Sequence, residues 1–574
     1  RGWNMSAITL KIDGLEVEVP QGSTIMDAIR KAGSYIPALC HHPDLKPVGS
    51  CKLCIVAVEG MDSYPTACNT PAREGMVVKT RTDELQEMRR HTLEMILALT
   101  NHPTSCLFCE RKDECGDLRE CMRKLPVTVG CKYCPQDGMC ELQEAVLYVG
   151  LKGIRYDITF RNLPVLREPF FDRNYNLCIM CGRCVRMCDE VRGLGILSIN
   201  PDFHRNHWIG PESLQEADCK FCGACVDACP TGALFARSEK WIRPDSTTVT
   251  ICPYCGVGCS LELRIFEDKI ISVTPSREGA VNRGQACVKG HFGLEEIVHH
   301  PDRITTPLIK RNGKFEPASW DEALEMVARR FTEIKEKYGP DALGALSSSR
   351  CTNEENYLVQ KLARAVFGTN NVDNCARVCH APSVTGLAAC FGSGAATNSF
   401  DQIEDANVLF IIGSNTTEAH PVVSLKIIKA ARNGAKIIVA DPRKIELVSL
   451  ASVWLNQKPG TSIALINAMM NVILREGLED REFIDRRTVG FEELQKAVEE
   501  YPPEKASQIT GVAAEDIIEA ARIYAQADKA MIIYGLGMTE HTTGTANVMS
   551  LGNLAMLTGN VGRRSTGVMP LRGQ

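Results

Sequence analysis

Cysteine is distributed very unevenly along this 574-residue chain, because 23 of its 27 cysteines come before residue 288. Many of them stand only two or three residues apart, which is too close for disulfide pairing within a run. Such spacing is typical of ligands to iron-sulfur clusters, each of which takes four protein ligands. With His102, four residues before Cys106, the chain offers 24 candidate ligands, enough for six clusters. We therefore expect the first half to fold around clusters.

The remaining composition indicates a multidomain protein of mixed α/β and α+β architecture. A chain of 574 residues is too long for one core, and 44% of its residues are hydrophobic. The net charge of -5 shows no excess of basic residues, which argues against a nucleic-acid partner. No uninterrupted apolar run has the length of a membrane span, and no export signal is evident. We expect a cytoplasmic protein without a membrane span.

Residues 5–80 are predicted to form a 2Fe-2S ferredoxin-like domain of the β-grasp type. Alternating residues over 8–12 and 15–19 flank Asp13-Gly14, which predicts a hairpin, and a helix is expected over Ser23–Ala32. The next four cysteines have one wide, one close and one wide spacing, as a 2Fe-2S cluster requires. These predicted ligands are Cys40, Cys51, Cys54 and Cys68.

Two less regular ligand sets occupy residues 81–150, after a helix expected near Leu85–Leu99. In the first, a histidine is the predicted fourth ligand beside three cysteines. Its members are His102, Cys106, Cys109 and Cys115. The second set is Cys121, Cys131, Cys134 and Cys140. Zinc is an alternative metal for both sets, and a non-ligand Cys121 is a further alternative for the second.

Residues 151–243 contain two runs with the spacing of bacterial two-cluster ferredoxins. In that arrangement the fourth cysteine of each run binds the other cluster. The first predicted 4Fe-4S set is therefore Cys178, Cys181, Cys184 and Cys229. The second is Cys219, Cys222, Cys225 and Cys188.

A last cluster is predicted in residues 244–310, with three ligands on one loop and one distant ligand. These ligands are Cys252, Cys255, Cys259 and Cys287. From residue 250 onward the chain resembles the molybdopterin oxidoreductase family, and this cluster matches the one nearest the pterin. The resemblance implies that Lys289 lies between cluster and pterin. It also implies that residues 311–574 form α/β pterin-binding domains whose C-terminal part is absent.

The segment Asn374–Ser383 resembles the metal-ligand segment of formate dehydrogenases. The resemblance implies that Cys379 binds molybdenum or tungsten and that His380 takes a proton as formate loses its C-H bond. Arg572 is similar to the family arginine that orients the substrate carboxylate, a task suited to a guanidinium. The implied activity is that of a formate dehydrogenase or CO2 reductase.

A βαβ unit is predicted from strand Val408–Ile412, helix Pro421–Arg432 and strand Lys436–Ala440, and such units bind ligands at the carboxyl ends of their strands. The resemblance implies that a bis(molybdopterin guanine dinucleotide) cofactor lies there. Its implied contacts are Lys289, Gly413, Ser414, Asn415, Asp441, Pro442, Arg443, Gly460, Gly537, Met538 and His541. Glu540 and Ser462 differ from the glutamine and aspartate common in the family.

Residues 7–240 resemble the N-terminal part of the large iron-sulfur subunit of respiratory complex I and of iron-only hydrogenases. This implies an electron-transfer partner, either a flavin subunit that reduces NAD(P), a ferredoxin or a hydrogenase. Two other functions stay open: a nitrate reductase-like molybdoenzyme and a non-catalytic electron-transfer subunit like that of complex I. Because the family's catalytic subunit continues beyond the Leu571–Gln574 motif, we expect a separate polypeptide or a further segment to supply the remainder.

Overall fold

A computed structural model describes residues 7–104, 106–109, 131, 134–159, 163–200, 209–238 and 242–573. They form two compact units. One contains the chain up to Thr248 together with Leu263–Thr274, and the other contains Val249–Glu262 and the chain from Pro275 onward. The chain passes between the units within the strands Ser246–Ile251, Ser260–Phe266 and Lys269–Pro275. The predicted ligands Cys115 and Cys121 lie outside the described residues.

The first unit opens with a four-stranded sheet, and the predicted hairpin is confirmed. The strands follow one another across the sheet in the order Leu15–Pro20, Ala7–Ile12, Val77–Lys79 and Ala57–Val58. Asp13 and Gly14 both have positive φ, at 49° and 87°, which reverses the chain between the antiparallel strands. The helix predicted over Ser23–Ala32 spans Ile25–Lys31 and begins with a capping box between Thr24 and Asp27.

Two helices and several short elements complete the first unit. Helix Asp83–Thr100 ends at Asn101, whose left-handed conformation closes the last turn, and it contacts helix Glu141–Val149. Leu93, Leu97 and Leu142 are buried between them. The short strands are Leu166–Arg167, Phe171–Arg173, Ser198–Ile199, Ile209–Gly210 and Leu234–Ala236. The short helices are Arg183–Arg186, which continues as a π-turn over Met187–Val191, and Ala224–Asp227.

The second unit is built on a five-stranded parallel sheet. Its strands follow the order Val453–Leu455, Lys436–Ala440, Val408–Ile412, Ala530–Tyr534 and Gly567–Pro570. The predicted βαβ unit is confirmed at its predicted residues, with helix Pro421–Arg432 between two central strands. Helices cover both faces of this sheet. Its central strands therefore have nearly continuous apolar sequences, as is typical of buried parallel sheets. The covering helices include Ser462–Glu476, Phe491–Glu499, Pro503–Thr510, Ala514–Ala525 and Gly544–Leu557.

Smaller elements surround this sheet. The strands are the antiparallel pair Leu308–Arg311 and Lys314–Pro317 and the parallel pair Ala345–Ser347 and Val372–Asn374. The helices are Val288–Val298, Trp320–Tyr338, Asn353–Lys361, Ala376–Cys379, Ala381–Phe391, Thr416–Ala419, Arg481–Arg487 and Leu536–Thr539. Among the described residues no helix combines the length and apolar character needed to cross a bilayer.

Candidate active site and cluster ligands

A cavity of about 690 Å³ lies at the carboxyl edge of the parallel sheet. Three loops that follow central strands line it: Gly413–Asn415, Asp441–Arg443 and Gly535–Gly537. This is where ligands bind in open α/β sheets, and the volume is within the range of cofactor pockets. Ten of the predicted pterin contacts line the cavity. They are Lys289, Gly413, Ser414, Asn415, Asp441, Pro442, Arg443, Gly460, Gly537 and His541.

Met538 is the predicted pterin contact that does not line this cavity. Its side chain is fully buried in the hydrophobic core of the second unit. Residues 536–539 form a short helix, so consecutive side chains point in different directions and Met538 faces inward. Its neighbour Gly537 lies on the cavity side.

Two glycine loops approach each other closely at the cavity wall. A Cβ on Gly413 would lie 2.8 to 3.0 Å from backbone atoms of Gly537 and Met538, and Gly413 has a φ of +59°. The amide of Gly537 donates to the carbonyl oxygen of Gly413 at 3.0 Å. Side chains are therefore excluded, which leaves backbone atoms exposed to the cavity as a dinucleotide site requires.

Arg350 and His420 also line the cavity, and no sequence motif indicated them. Arg350 donates to the carbonyl oxygens of Pro253 and Tyr254 at 3.2 and 2.8 Å, on the loop that carries the predicted proximal cluster ligands. His420 Nε2 lies 2.9 Å from the carbonyl oxygen of Arg572 and donates to it. These contacts join segments that lie far apart in the sequence.

The four proximal cysteines lie close enough to influence one another. Burial raises the pKa of Cys259 to about 12, and the charges of Cys252, Cys255 and Cys287 add to this rise. Burial raises the pKa values of Cys252 and Cys255, and the positive charge of Lys289 opposes this rise. Lys289 therefore lies near the same loop. Lys289 and Cys255 both line the cavity. The loop of cysteines therefore borders the candidate pterin site.

Cys379 and His380 lie at the junction of two short helices and are both buried, with 4% of each residue exposed. Burial, with a further contribution from the positive charge of Arg572, lowers the pKa of His380 to about 4, so its imidazole is neutral. Arg572 follows the edge strand and donates to the carbonyl oxygen of Gly394 at 2.6 Å. The structure thus brings Arg572 within electrostatic range of His380, although nearly 200 residues of sequence separate them.

Gly256 ties the cysteine loop to this group. A Cβ at Gly256 would lie 2.0 Å from the carbonyl oxygen of Arg572 and 2.9 Å from its carbonyl carbon. No side chain fits there without moving one of the two segments. The backbone of Arg572 therefore packs directly on the loop between Cys255 and Cys259.

In the first unit, the ferredoxin cysteines group across the two runs. Burial raises the pKa values of Cys178, Cys181 and Cys184, and the negative charge of Cys229 adds to the rise in all three. Burial likewise raises the pKa values of Cys219 and Cys225, and the negative charges of Cys222 and Cys188 add to the rise in both. This is the crossed grouping that the ferredoxin spacing predicts.

The four N-terminal cysteines also gather. The amide of Cys51 donates to Cys40 Sγ at 3.4 Å, and the side chains of Cys54 and Cys68 are hydrogen-bonded. The negative charge of Cys40 acts to raise the pKa values of both Cys54 and Cys68, so the three side chains lie within electrostatic range of one another. Four thiols in one neighbourhood fit a 2Fe-2S cluster.

His102 lies on a small cavity together with Cys131, Cys134 and Cys140. The carbonyl oxygen of Pro103 is 3.0 Å from His102 Nδ1, which therefore carries the proton and leaves Nε2 as the nitrogen able to bind a metal. Burial lowers the pKa of His102 to about 4 and keeps the ring neutral. This grouping differs from the predicted one, in which His102 accompanies the cysteines nearest to it in sequence.

The donor sets fit iron-sulfur clusters. Thiolates are soft donors of the kind that such clusters use, and a neutral imidazole is a harder nitrogen donor that also binds iron. Within the described ranges no three histidine, cysteine, aspartate or glutamate side chains form a site for a single metal ion.

Comparison with known families agrees with this geometry. Residues 303–572 match the Molybdopterin oxidoreductase family and residues 245–299 match the Molybdopterin oxidoreductase Fe4S4 domain, together more than half of the chain. The chain belongs to the molybdopterin oxidoreductase family. Residues 5–83 of this oxidoreductase match the 2Fe-2S iron-sulfur cluster binding domain, and residues 177–233 match the 4Fe-4S dicluster domain. The predicted fold class is confirmed.

Relatives of this oxidoreductase include proteins named formate dehydrogenases. A putative formate dehydrogenase of Staphylococcus aureus is 32% identical over 614 residues, which cover 99% of this chain and 59% of the relative. The F420-dependent formate dehydrogenase 1 subunit alpha of Methanococcus maripaludis is 50% identical over 319 residues, which cover 56% of this chain and 47% of the relative. This chain spans about three fifths of the length of the first of these.

Among solved structures, acetylene hydratase from Pelobacter acetylenicus matches with a TM-score of 0.50 and 29% identity. The match covers 55% of this chain and 44% of that protein. A protein named as a hydratase thus shares part of this fold, so the reaction has to be argued from the site.

Proposed function

We propose that this oxidoreductase interconverts formate and CO2 in a two-electron reaction, as part of a formate dehydrogenase. The observation that carries the proposal is the grouping of Arg572 with His380 and its sequence neighbour Cys379. These three residues do not line the cavity themselves, but Arg572 lies between Leu571 and Gly573, which do, and its carbonyl group packs on Gly256 of the proximal cysteine loop. The relative that is 50% identical is named as a formate dehydrogenase subunit, which agrees with this assignment.

Each of the three side chains has a chemical task in this proposal. Arg572 offers paired donors to the planar carboxylate of formate. The neutral imidazole of His380 offers one nitrogen to the same substrate. Cys379 is a soft thiolate ligand for molybdenum or tungsten held by the pterin. When bound, that metal centre accepts the two electrons released when formate becomes CO2 and a proton.

The cofactors in this proposal are one 2Fe-2S cluster, five 4Fe-4S clusters and the bis(molybdopterin guanine dinucleotide). The clusters carry electrons to a partner, which is a flavin subunit that reduces NAD(P), a ferredoxin or a hydrogenase. Three predicted cluster sites lie near one apolar core in the first unit, since Cys51, Cys140 and Cys181 all pack against it. Such proximity suits electron transfer along a series of clusters.

The test is an assay of the metal-loaded, full-length protein with its partner chains. We expect molybdenum or tungsten in the preparation and formate-dependent reduction of a one-electron dye. Nitrate-dependent oxidation of the reduced dye, without formate activity, would indicate the nitrate reductase alternative. Fully assembled iron-sulfur clusters without molybdenum or tungsten would indicate an electron-transfer subunit.

We assign His102, Cys131, Cys134 and Cys140 to one 4Fe-4S cluster, since all four line one cavity. The remaining thiols, Cys106, Cys109, Cys115 and Cys121, then form the other four-ligand set. All 24 candidate ligands are still used, so the proposed total of six clusters is unchanged.

Single substitutions can distinguish the two groupings by EPR spectroscopy of the reduced protein. We expect His102→Ala and Cys131→Ser to alter the same cluster signal, while Cys109→Ser alters a different one. The physical reason is that each ligand change shifts the potential and g-values of its own cluster. If His102→Ala and Cys109→Ser alter one signal and Cys131→Ser another, the grouping is wrong. Iron content per protein, measured in parallel, shows whether a cluster has been lost.

A further inference from the structure

Behind Cys379 lies a chain of three buried polar side chains, of which the proposed function uses only one. Tyr534 Oη donates to Ser383 Oγ at 2.8 Å, and Ser383 Oγ lies 2.9 Å from His380 Nδ1. Tyr534 and Ser383 are completely buried, and His380 is 4% exposed. Tyr534 ends a strand of the parallel sheet, Ser383 lies in the first turn of helix Ala381–Phe391, and His380 is the N-cap residue directly before that helix.

The directions of these hydrogen bonds determine which imidazole nitrogen carries the proton. Ser383 Oγ accepts the phenol proton of Tyr534, which leaves its own proton for a second partner. In the described part of the chain that partner is His380 Nδ1. A neutral imidazole that accepts at Nδ1 carries its proton on Nε2.

His380 Nε2 is buried and has no regular hydrogen-bond partner among the described residues. Burial and the positive charge of Arg572 lower the pKa of His380, whereas the nearby backbone of Leu571 raises it. A buried donor without a partner is destabilising, and a ligand that accepts from it removes that cost. The nearest chemical match is a carboxylate that Arg572 also binds.

We infer that Tyr534 and Ser383 are positioning residues that hold His380 as an Nε2-H donor to the substrate carboxylate. This inference rests on the proposed function, because it takes formate as the substrate. It gives His380 a donor role in place of the proton acceptance that the family resemblance implies. The carboxylate would then be held from two sides, by Arg572 and by His380.

The test compares Tyr534→Phe, Ser383→Ala and Ser383→Thr in the holoenzyme. Because a hydrogen bond to the carboxylate is made in bound formate already, its loss weakens substrate binding more than turnover. We expect the formate KM to rise about tenfold in Ser383→Ala and severalfold in Tyr534→Phe, with kcat within twofold. Ser383→Thr keeps the hydroxyl and should retain a KM near that of the wild type.

Tyr524→Phe is a matched control, since Tyr524 is an equally buried tyrosine of the same core that packs against Phe410 instead. It should leave the formate KM unchanged. Metal content and thermal midpoint, measured for every variant, reveal any general loss of structure. A drop in kcat at constant KM, or an unchanged KM in Ser383→Ala, would overturn the inference.

A readout without turnover separates this inference from the proposed function. Cryo-EM maps of the holoenzyme should show the His380 ring rotated in Ser383→Ala and unmoved in Ser383→Thr. If wild-type enzyme does not oxidise formate, the proposed function fails, while the ring orientation still tests the positioning role. An unmoved ring in Ser383→Ala contradicts the positioning role even when formate is oxidised.

Discussion

Replacing Cys379 by alanine should lower formate-dependent dye reduction by roughly 10³-fold or more, the scale seen when one member of a catalytic set is removed. A methyl group cannot bind a metal, and the site is buried, so water does not readily take the place of the sulfur. The assay uses metal-loaded protein, with molybdenum, tungsten and iron measured on the same sample. The iron content should stay at its wild-type value, because Cys379 lies in none of the proposed cluster sets.

Cys390→Ala provides the matched control for this substitution. Cys390 is a partly buried cysteine on the neighbouring helix Ala381–Phe391 and does not line the candidate pterin cavity. Its substitution should leave dye reduction within about twofold of wild type. Substantial formate activity in metal-loaded Cys379→Ala would contradict the ligand assignment.

The second large effect is expected for Arg572→Ala, which should lower kcat/KM for formate by roughly 10²- to 10³-fold, comparable to the loss of one preorganised donor in other active sites. The guanidinium supplies a positive charge and parallel donors that alanine cannot replace. Arg572→Lys keeps the charge and loses the paired geometry, so its activity should be intermediate. Steady-state kinetics over a range of formate concentrations measures both variants.

Arg563→Ala is a control for removal of one arginine from the same unit. Arg563 forms an ion pair with Asp528 at 3.2 Å on the surface, where such pairs contribute little. Its kinetics should match those of the wild type. Equal kcat/KM values for Arg572→Ala and wild type would remove Arg572 from the substrate site.

Local patterns predicted those parts of the fold that depend on neighbouring residues. The strands Val408–Ile412 and Lys436–Ala440 were predicted at their observed bounds, because each is a buried apolar run followed by turn residues. The ferredoxin grouping of Cys188 and Cys229 follows from spacing in the same way. In both cases the information lies within a few dozen residues.

Contacts between distant segments could not be read from spacing. His420 and Arg350 border the cavity through bonds to backbone atoms about 100 to 150 residues away. Nothing in their local sequence distinguishes them from other polar residues. The grouping of His102 with Cys131 also depends on how a loop folds back, which the distance along the chain does not give.

The amphipathic sequence of helix Trp320–Tyr338 does not reveal what covers its apolar face. Ser319 caps helix Trp320–Tyr338 as its sequence indicates, and Gly339 ends it. Yet none of the helix's residues is buried, and Leu324 remains 58% exposed. A period of 3.6 residues defines an apolar face, whereas the burial of that face depends on the tertiary neighbours.

The most direct test of the central proposal follows the carbon and the electrons together. Purified holoenzyme is incubated with [13C]formate and a one-electron dye, and 13CO2 and reduced dye are measured over time. The proposed reaction predicts one 13CO2 and two reduced dye molecules for each formate consumed. Enzyme fully loaded with pterin-bound metal and clusters that consumes no formate and releases no 13CO2 would contradict it.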